Sequence, residues 1–147
     1  MSLDSINSKI LRCLQQNARL SNAEIGRQVG ISSPAVSERI KKMEDLGIIE
    51  GYKTIVSPFE IGYQFKAIIT LRAFMGKLKP FLEKVKTYDE VINCYRITGD
   101  ENIVMEVVLK NQKHLEAFID QLISYGESKT QIVLSRVVKQ KEVIPIK

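Results

Sequence analysis

The residues from Gly30 to Lys42 read GISSPAVSERIKK and place three serine hydroxyls and two lysines on a short predicted helix. At 100° per residue, Ser37 and Lys41 point away from the apolar positions Val36 and Ile40. Small hydroxylic side chains and lysines can contact base edges and phosphates in a major groove that is only about 12 Å wide. The stretch therefore predicts a recognition helix for duplex DNA.

The predicted DNA contacts extend along this helix and to positions on either side of it. They are Asn22, Ser32, Ser33, Pro34, Ala35, Ser37, Glu38, Arg39, Lys41, Lys42 and Lys53. The paired lysines also fit a solvent-exposed face shared with Glu38 and Asp45, and taken singly each lysine fits that interpretation better. Arg39 borders the apolar stripe, so its guanidinium can reach either a phosphate or an internal acid.

Few other residues could carry out chemistry. His114 is the only histidine, and its neighbours Lys113 and Glu116 are typical of a solvated helix start. Cys13 and Cys94 lie in apolar surroundings without a CxxC pair, so neither a zinc site nor a disulfide framework is expected. Because no nucleophile and base pair is visible, we expect no enzyme, no metal and no cofactor.

Three predicted helices position the recognition stretch. Asp4 caps the first, and the second begins near Asn22 behind the S-x-x-E capping box of Ser21 and Glu24. Gly30 ends the second helix. The third begins about three residues later, with Ser33 as its predicted cap and Pro34 in its first turn.

Two short helices joined by so tight a turn must cross steeply. Gly26 has no side chain and permits that close approach, so the pattern predicts a helix-turn-helix. The alternative is a three-helix packing unit with no nucleic-acid role. The buried stripe of the third helix is predicted to comprise Val36, Ile40, Met43 and Leu46.

The residues that follow Gly47 change character. The segment IIEGYKTIV has a Glu-Gly turn between two β-branched runs and predicts a two-stranded wing that lays Lys53 near the DNA backbone. The predicted domains are therefore a winged helix-turn-helix over residues 1–56, a linker over 57–65 and a second domain over 66–147.

The second domain alternates between the periods of strands and helices. Its order is βαββαβ, with the last strand predicted at TQIVLSRVV, which indicates a ferredoxin-like α+β domain with both helices on one face of the sheet. Both faces of residues 66–74 and 103–109 read as mostly apolar. We therefore expect a second copy of the chain to cover the open face.

The charge of the chain permits an acidic partner but does not point to the recognition stretch. Of 22 Lys and Arg and 17 Asp and Glu, residues 1–60 hold eight against seven, so most of the net charge of +5 lies after residue 60. Contacts with DNA must therefore come from local placement. Since no apolar run approaches a membrane span, we expect a cytoplasmic protein with no membrane partner.

The whole chain resembles the Lrp/AsnC family of transcription regulators. The resemblance is carried by the front segment LDSINSKILRCLQQNARLSNAEIGRQVGISSPAVSERIKKMEDLGIIEGY, by YRITGDENIVMEVV, and by FIDQLISYGESKTQIVLS. It implies a dimer built through the C-terminal sheets, dimers often assembled into octamers, and a small effector, commonly an amino acid.

The resemblance also implies that the effector binds at contacts between dimers, in the loop after the second strand and in the residues after the last helix. It assigns Thr98, Gly99, Asp100, Asn102, Tyr125, Ser128 and Thr130. Gly99 would let backbone N–H groups approach a carboxylate, and Asp100 could pair with an α-ammonium. The chain departs from the family at Asn102, where an acid is common, and at Glu127, where an apolar residue is common.

Two other functions share these features. An architectural DNA-binding protein would have every DNA-binding residue and lack an effector. Some decarboxylases of haem biosynthesis resemble the same family, so an enzyme that acts on a tetrapyrrole is a further alternative.

Overall fold

The computed structural model describes residues 3–146, which form two compact units. One unit comprises the chain up to Ile55 together with the segment from Val138 onward, and the other is Val56–Val137. The expected second domain, 66–147, thus differs from the structure at its end, because the last residues contact the first helix. No helix within residues 3–146 is long and apolar enough to cross a membrane.

The first unit contains three helices: α1 (Ser5–Gln16), α2 (Asn22–Val29) and α3 (Ser33–Asp45). As predicted, the Asp4 carboxylate caps α1 by accepting from the backbone N–H of Asn7 at 2.7 Å. Ser21 and Glu24 form the capping box of α2. These caps satisfy N–H groups that have no partner inside the helix and so fix where each helix begins.

The turn between α2 and α3 depends on Gly26. A Cβ atom at this position would lie 2.6 Å from the backbone oxygen of Ile31, which is closer than real Cβ contacts. Gly30 ends α2 in the left-handed conformation, with φ at 81°. The tight crossing of the two helices therefore needs glycine at residue 26, as the sequence predicts.

The ends of α3 differ from the prediction. Ser32, not Ser33, is its cap, since the Ser32 hydroxyl accepts from the N–H of Ala35 at 3.4 Å and Ser33 is already helical. Leu46 is 52% exposed and does not extend the buried stripe. The helix stops at Asp45, and the chain turns at Gly47, which takes a positive φ.

The predicted wing strands are absent from residues 48–56. The N–H groups of Ile48 and Ile49 both donate to the carbonyl of Met43, so this part of the chain closes the end of α3. Residues 50–56 are exposed and have no regular secondary structure, and no strand among residues 3–146 pairs with them. A run with strand propensity forms a ladder only where a partner strand is available.

A small apolar core holds the three helices together. Its fully buried side chains are Ile10, Ile25, Val36 and Met43, and Cys13 is buried beside them. Cys13 donates a weak hydrogen bond from Sγ to the amide oxygen of Gln28 at 3.3 Å. Each helix thus contributes to one core, so the position of α3 is set by contacts with both other helices.

The second unit has the predicted βαββαβ order and a four-stranded antiparallel sheet. Its elements are β1 (Phe65–Ala73), α4 (Leu78–Lys84), β2 (Val91–Arg96), β3 (Ile103–Leu109), α5 (Gln112–Leu122) and β4 (Gly126–Ile132). The strand order β2-β3-β1-β4 is that of a ferredoxin-like sheet. Two short 3₁₀ turns, Phe59–Ile61 and Val85–Thr87, precede β1 and follow α4.

The last strand begins earlier than predicted. It spans Gly126–Ile132 instead of TQIVLSRVV, because residue 126 pairs directly with Ala73 of β1. A Cβ atom at Gly126 would lie 2.3 Å from the backbone oxygen of Arg72. Glycine at this position therefore permits the close pairing that starts β4.

The core of the second unit lies between the sheet and its two helices. Phe81 and Phe118 are fully buried against the inward side chains of the central strands, including Ile69 and Met105. Tyr88 is also buried, with its ring 5.4 Å from that of Phe118. Its hydroxyl has no hydrogen-bond partner among residues 3–146, and burial raises its pKa.

The opposite face of the sheet is more polar than predicted. Ile68 and Val104 lie on it, but so do charged pairs within the chain, such as Lys66 with Glu106 at 3.8 Å. Arg72 pairs with Glu127 across β1 and β4. The expectation of a mostly apolar face is therefore wrong, since the alternation on β1 and β4 places these charges beside the apolar residues.

Gly26→Ala should destabilise the first unit by about 1–3 kcal/mol, because the added methyl group forces the backbone at Ile31 to move. Thermal unfolding followed by circular dichroism measures the change. Arg27→Ala, on an exposed position of the same helix, is the control and should alter stability by less than about 0.5 kcal/mol. Equal stability of the two variants would contradict the close approach.

Tyr88→Phe should stabilise the second unit by up to about 1–2 kcal/mol, since it removes a buried hydroxyl that lacks a partner and keeps the ring contact with Phe118. Denaturant titration gives the free energy of unfolding. Tyr125→Phe is the matched control because Tyr125 is only partly buried, and little change is expected. A large loss of stability in Tyr88→Phe would show that the hydroxyl has a partner.

Candidate nucleic-acid interface and effector region

The exposed side of α3 carries a stripe of small and basic side chains. Ser33, Ser37 and Lys41 follow one another at intervals of four residues, which places them on one face of the helix, and all three are exposed. Val36 and Met43 are fully buried on the opposite side. The core contacts therefore fix the helix so that this stripe, which we call the recognition face, points to solvent.

The other predicted DNA contacts differ in how far their side chains are exposed to solvent. Those that are exposed are Ser32, Pro34, Glu38, Lys42 and Lys53, whereas Asn22, Ala35 and Arg39 are partly buried. Within residues 3–146, neither Lys41 nor Lys42 forms an ion pair. Their ammonium groups are therefore available to phosphates.

Arg39 takes the internal alternative. Its Nη1 donates to Asp4 Oδ2 at 2.6 Å and to Asn7 Oδ1 at 2.9 Å, which ties α3 to the start of α1. The N–H of Asn7 and then the Arg39 guanidinium lower the pKa of Asp4. Arg39 thus links α3 to α1 in the structure, where the sequence allowed an internal acid and a phosphate equally.

The segment that carries Lys53 is anchored to the end of α3. The Tyr52 hydroxyl donates to Glu44 Oε1 at 2.8 Å. Burial, together with this hydrogen bond, raises the pKa of Tyr52 to about 12. Lys53 therefore follows a residue that is bound to the end of α3, and residues 48–56 contain no wing strand to support it.

The effector candidates lie near one end of the sheet, where the loop after β2 meets the ends of β1. Asn102 closes this loop, since its Oδ1 accepts from the N–H of Ala73 at 2.8 Å and its N–H donates to Leu71. Its amide is thus engaged in holding the loop. Thr98 and Gly99 are exposed in the turn, with φ of Gly99 at 110°, a conformation that favours glycine.

A groove of about 210 Å³ brings together only Asp100 and Ser128 of the predicted set. Its remaining lining residues are charged: Arg72, Glu101, Glu127 and Lys129. The Lys129 ammonium donates to Glu101 at 2.6 Å, which lowers the pKa of Glu101 and raises the pKa of Lys129. Among residues 3–146, Asp100 has no ion-pair partner of its own.

Tyr125 and Thr130 lie outside this groove. The ring of Tyr125 packs 5.4 Å from that of Phe81 and belongs to the core. Thr130 pairs with Ile69, whose side chain is buried beneath the helices. The sequence did not indicate Arg72, Glu101 or Lys129, because their meeting depends on strand register, which no local pattern specifies.

His114 is not a solvated helix residue. Its Nε2 lies 2.8 Å from Glu90, and its Nδ1 accepts from the N–H of Lys110 at 3.1 Å. Burial raises the pKa of Glu90, but the hydrogen bond with His114 and further contacts outweigh it and leave the pKa lowered. Residues 3–146 contain no cluster of three or more side chains that could hold a metal ion.

The chain matches two family profiles in order. Residues 3–50 match the winged helix-turn-helix DNA-binding profile, and residues 66–143 match the Lrp/AsnC ligand binding domain. The second match covers the sheet domain and the residues that follow it. The two matches place the recognition face and the charged groove in separate domains.

Relatives and solved structures match over nearly the whole chain. The regulator Ptr1 of Methanocaldococcus jannaschii is 36% identical over 98% of this chain and 99% of its own length, and LrpB of Bacillus subtilis is 33% identical over 95% and 93%. The regulator NMB0573 of Neisseria meningitidis, solved in complex with L-Met, superposes with a TM-score of 0.90 at 26% identity, covering 97% of this chain and 96% of that one. LrpC of Bacillus subtilis superposes with a TM-score of 0.90 at 27% identity, covering 95% of this chain and 100% of that one. With both domains present in order and relatives aligned along the full length, the chain belongs to the Lrp/AsnC family of transcriptional regulators.

Proposed function

We propose that this regulator binds duplex DNA through α3 as a two-fold pair and that an amino acid at the groove modulates the binding. The observation that carries the first part is the recognition face. Its Ser33, Ser37 and Lys41 are exposed on a helix whose opposite side is locked into the core. Hydroxyl groups there read base edges, while lysines neutralise phosphates.

A second copy of the chain completes the DNA-binding form. The open face of the sheet presents Ile68, Thr70 and Val104 in its centre, and all three are only partly buried in the single chain. Tyr95 pairs with Val104 and adds an exposed aromatic ring. A second sheet packed here would bury this strip, and the resulting symmetry would present two recognition helices to two half-sites.

The groove offers partners for both charged groups of an amino acid, the α-ammonium and the carboxylate. Asp100 is exposed and has no ion-pair partner within residues 3–146, so it can accept the α-ammonium. The cations Arg72 and Lys129 can bind the carboxylate, although an incoming ligand must compete with Glu127 and Glu101 for them. That the matched regulator NMB0573 was solved with L-Met supports an amino acid as the class of ligand.

The first test separates phosphate contacts from positioning contacts. Lys41→Ala should weaken binding about three- to tenfold on every sequence and reduce the slope of log affinity against log salt by about one, because one phosphate contact is lost. Ser37→Ala should instead change sequence preference. Fluorescence anisotropy with labelled duplexes at several salt concentrations measures both effects.

Arg39→Ala is the informative comparison in this experiment. Since Arg39 binds Asp4 and Asn7, its loss should lower the melting temperature and the affinity while leaving the salt slope unchanged. Lys113→Ala, in α5, is the control for a neutralised lysine elsewhere. If Lys41→Ala retains the parent slope and Arg39→Ala reduces it, the assignment of the two side chains is wrong.

The second test addresses the effector. Titration calorimetry with the proteinogenic amino acids, starting with L-methionine, should find at least one ligand with a dissociation constant below about 1 mM. Asp100→Ala should abolish its binding and spare DNA binding by the free protein, because Asp100 lies in the other domain. Asp89→Ala, an exposed acid of the same unit, should leave the ligand bound.

The same titration distinguishes the alternatives. If no amino acid binds the parent protein, the architectural function gains and the sensor proposal falls. Binding that persists in Asp100→Ala would place the site elsewhere. An enzyme acting on a tetrapyrrole has no support from the chemistry of the groove, and a tetrapyrrole absorbance assay would reveal it.

A further inference from the structure

The C-terminal segment, residues 138–146, lies against the outer face of α1 within the first unit. We call this segment the strap. Gln15 binds its backbone in both directions, since the amide Nε2 donates to the carbonyl of Val143 at 3.1 Å and the N–H of Val143 donates to Gln15 Oε1 at 2.8 Å. One side chain thus satisfies both polar groups of a strap residue, as a neighbouring strand would.

A second set of contacts fixes the register of the strap. The Glu142 carboxylate accepts from Gln16 Nε2 at 2.7 Å and pairs with Arg12 Nε at 3.2 Å. Two consecutive strap residues, Glu142 and Val143, are therefore bound by three residues of α1: Arg12, Gln15 and Gln16. This outer face of α1 is a docking surface for an extended peptide. It binds an acidic side chain at one position and the backbone N–H and C=O groups of the next residue.

The strap is held mainly by polar contacts that water can reach. Val143 and Ile144 are 79% and 69% exposed, and the Arg12 side chain keeps 62% of its surface in solvent. Exposed ion pairs and hydrogen bonds each contribute little, whereas ordering the strap costs conformational entropy at every residue. The free energy of docking is therefore close to zero, and small changes in residues 133–137, the tether that joins the strap to β4, can release the strap.

The strap follows β4 along the chain and contacts α1. The start of α1 in turn binds Arg39 of α3. Residues 133–137 link the end of β4 to the strap, and five residues span at most about 18 Å. At its start, α1 supplies Asn7 and the preceding Asp4 to the Arg39 guanidinium of α3. The strap thus follows β4 along the chain, and its contacts are with α1, whose start binds Arg39 of α3.

We propose that the strap is a releasable brace, docked on its own chain's α1, that ties the end of β4 to the DNA-binding unit and keeps α3 in its binding position. Docking stabilises α1, and α1 in turn holds Arg39. Release of the strap leaves the recognition face intact but less firmly placed, which weakens DNA binding without removing a phosphate contact.

Limited trypsin cleavage after Lys141 reports docking directly. Gln15→Ala removes both hydrogen bonds to Val143, conserves charge and leaves the strap sequence unchanged, and it should accelerate this cleavage at least fivefold in the full chain. Ser5→Ala, also exposed on α1, is the matched control and should cleave like the parent. Equal cleavage rates in Gln15→Ala and the parent would overturn docking.

A longer tether tests the tie to β4. Eight Gly and Ser residues inserted after Val137 lower the effective concentration of the strap at α1, so cleavage should lie between the rates of the parent and Gln15→Ala. An unchanged rate would show that the strap does not depend on its tether. Neither cleavage experiment needs DNA or an effector, so both stand even if the proposed function fails.

The DNA arm tests the brace. In anisotropy titrations, Gln15→Ala should lower affinity at least threefold with the salt slope unchanged, and Ser5→Ala should match the parent. Parent-like affinity in Gln15→Ala would overturn the brace while leaving docking in place. A reduced slope would also overturn it, because that result would mean a lost phosphate contact.

A mixing experiment decides whose strap is docked. A chain ending at Val137 keeps the docking surface without a strap, and full-length Gln15→Ala keeps the strap without the surface. Refolded together, the two should show the fast cleavage of Gln15→Ala alone. Restored protection would mean that straps dock between copies, which would overturn docking on the same chain.

Discussion

One guanidinium links the helix that carries the recognition face to the start of α1, at the edge of the apolar core. Arg39 emerges from α3 beside the apolar stripe, and its guanidinium is held by Asp4 and Asn7 at the start of α1. The carboxylate of Asp4 also caps α1, so a single acid fixes the beginning of one helix and the position of another. The core residues set how α3 packs, and this contact adds a polar link between α3 and α1 beside the core.

Much of the fold could be predicted because its signals are local. The capping box of Ser21 and Glu24, the glycine at residue 26 and the βαββαβ order each depend on neighbouring residues or on a short period. The cap of α3 was misplaced by one residue because Ser32 and Ser33 are both good caps. Only the turn geometry decides between two adjacent hydroxyls.

Features that depend on a distant partner could not be predicted. The run after Gly47 has the composition of strands, but within residues 3–146 no strand pairs with it, so it has no regular secondary structure. The acids Glu101 and Glu127 meet Lys129 and Arg72 only through the register of β4 and the loop after β2. For the same reason, the sequence indicated Asp100 and Ser128 but not the charged residues that line the groove with them.

The charges on the open face of the sheet are matched within one chain. Lys66 pairs with Glu106, Arg72 with Glu127, and Lys129 with Glu101. A sheet packed on this face would therefore meet strand charges that are already paired and would need no complementary charges against them. The shape of the face and its central apolar residues, Ile68 and Val104, would then determine which sheet packs on it. If two copies pair through this face, steric fit rather than electrostatic repulsion would have to exclude other proteins of the same fold.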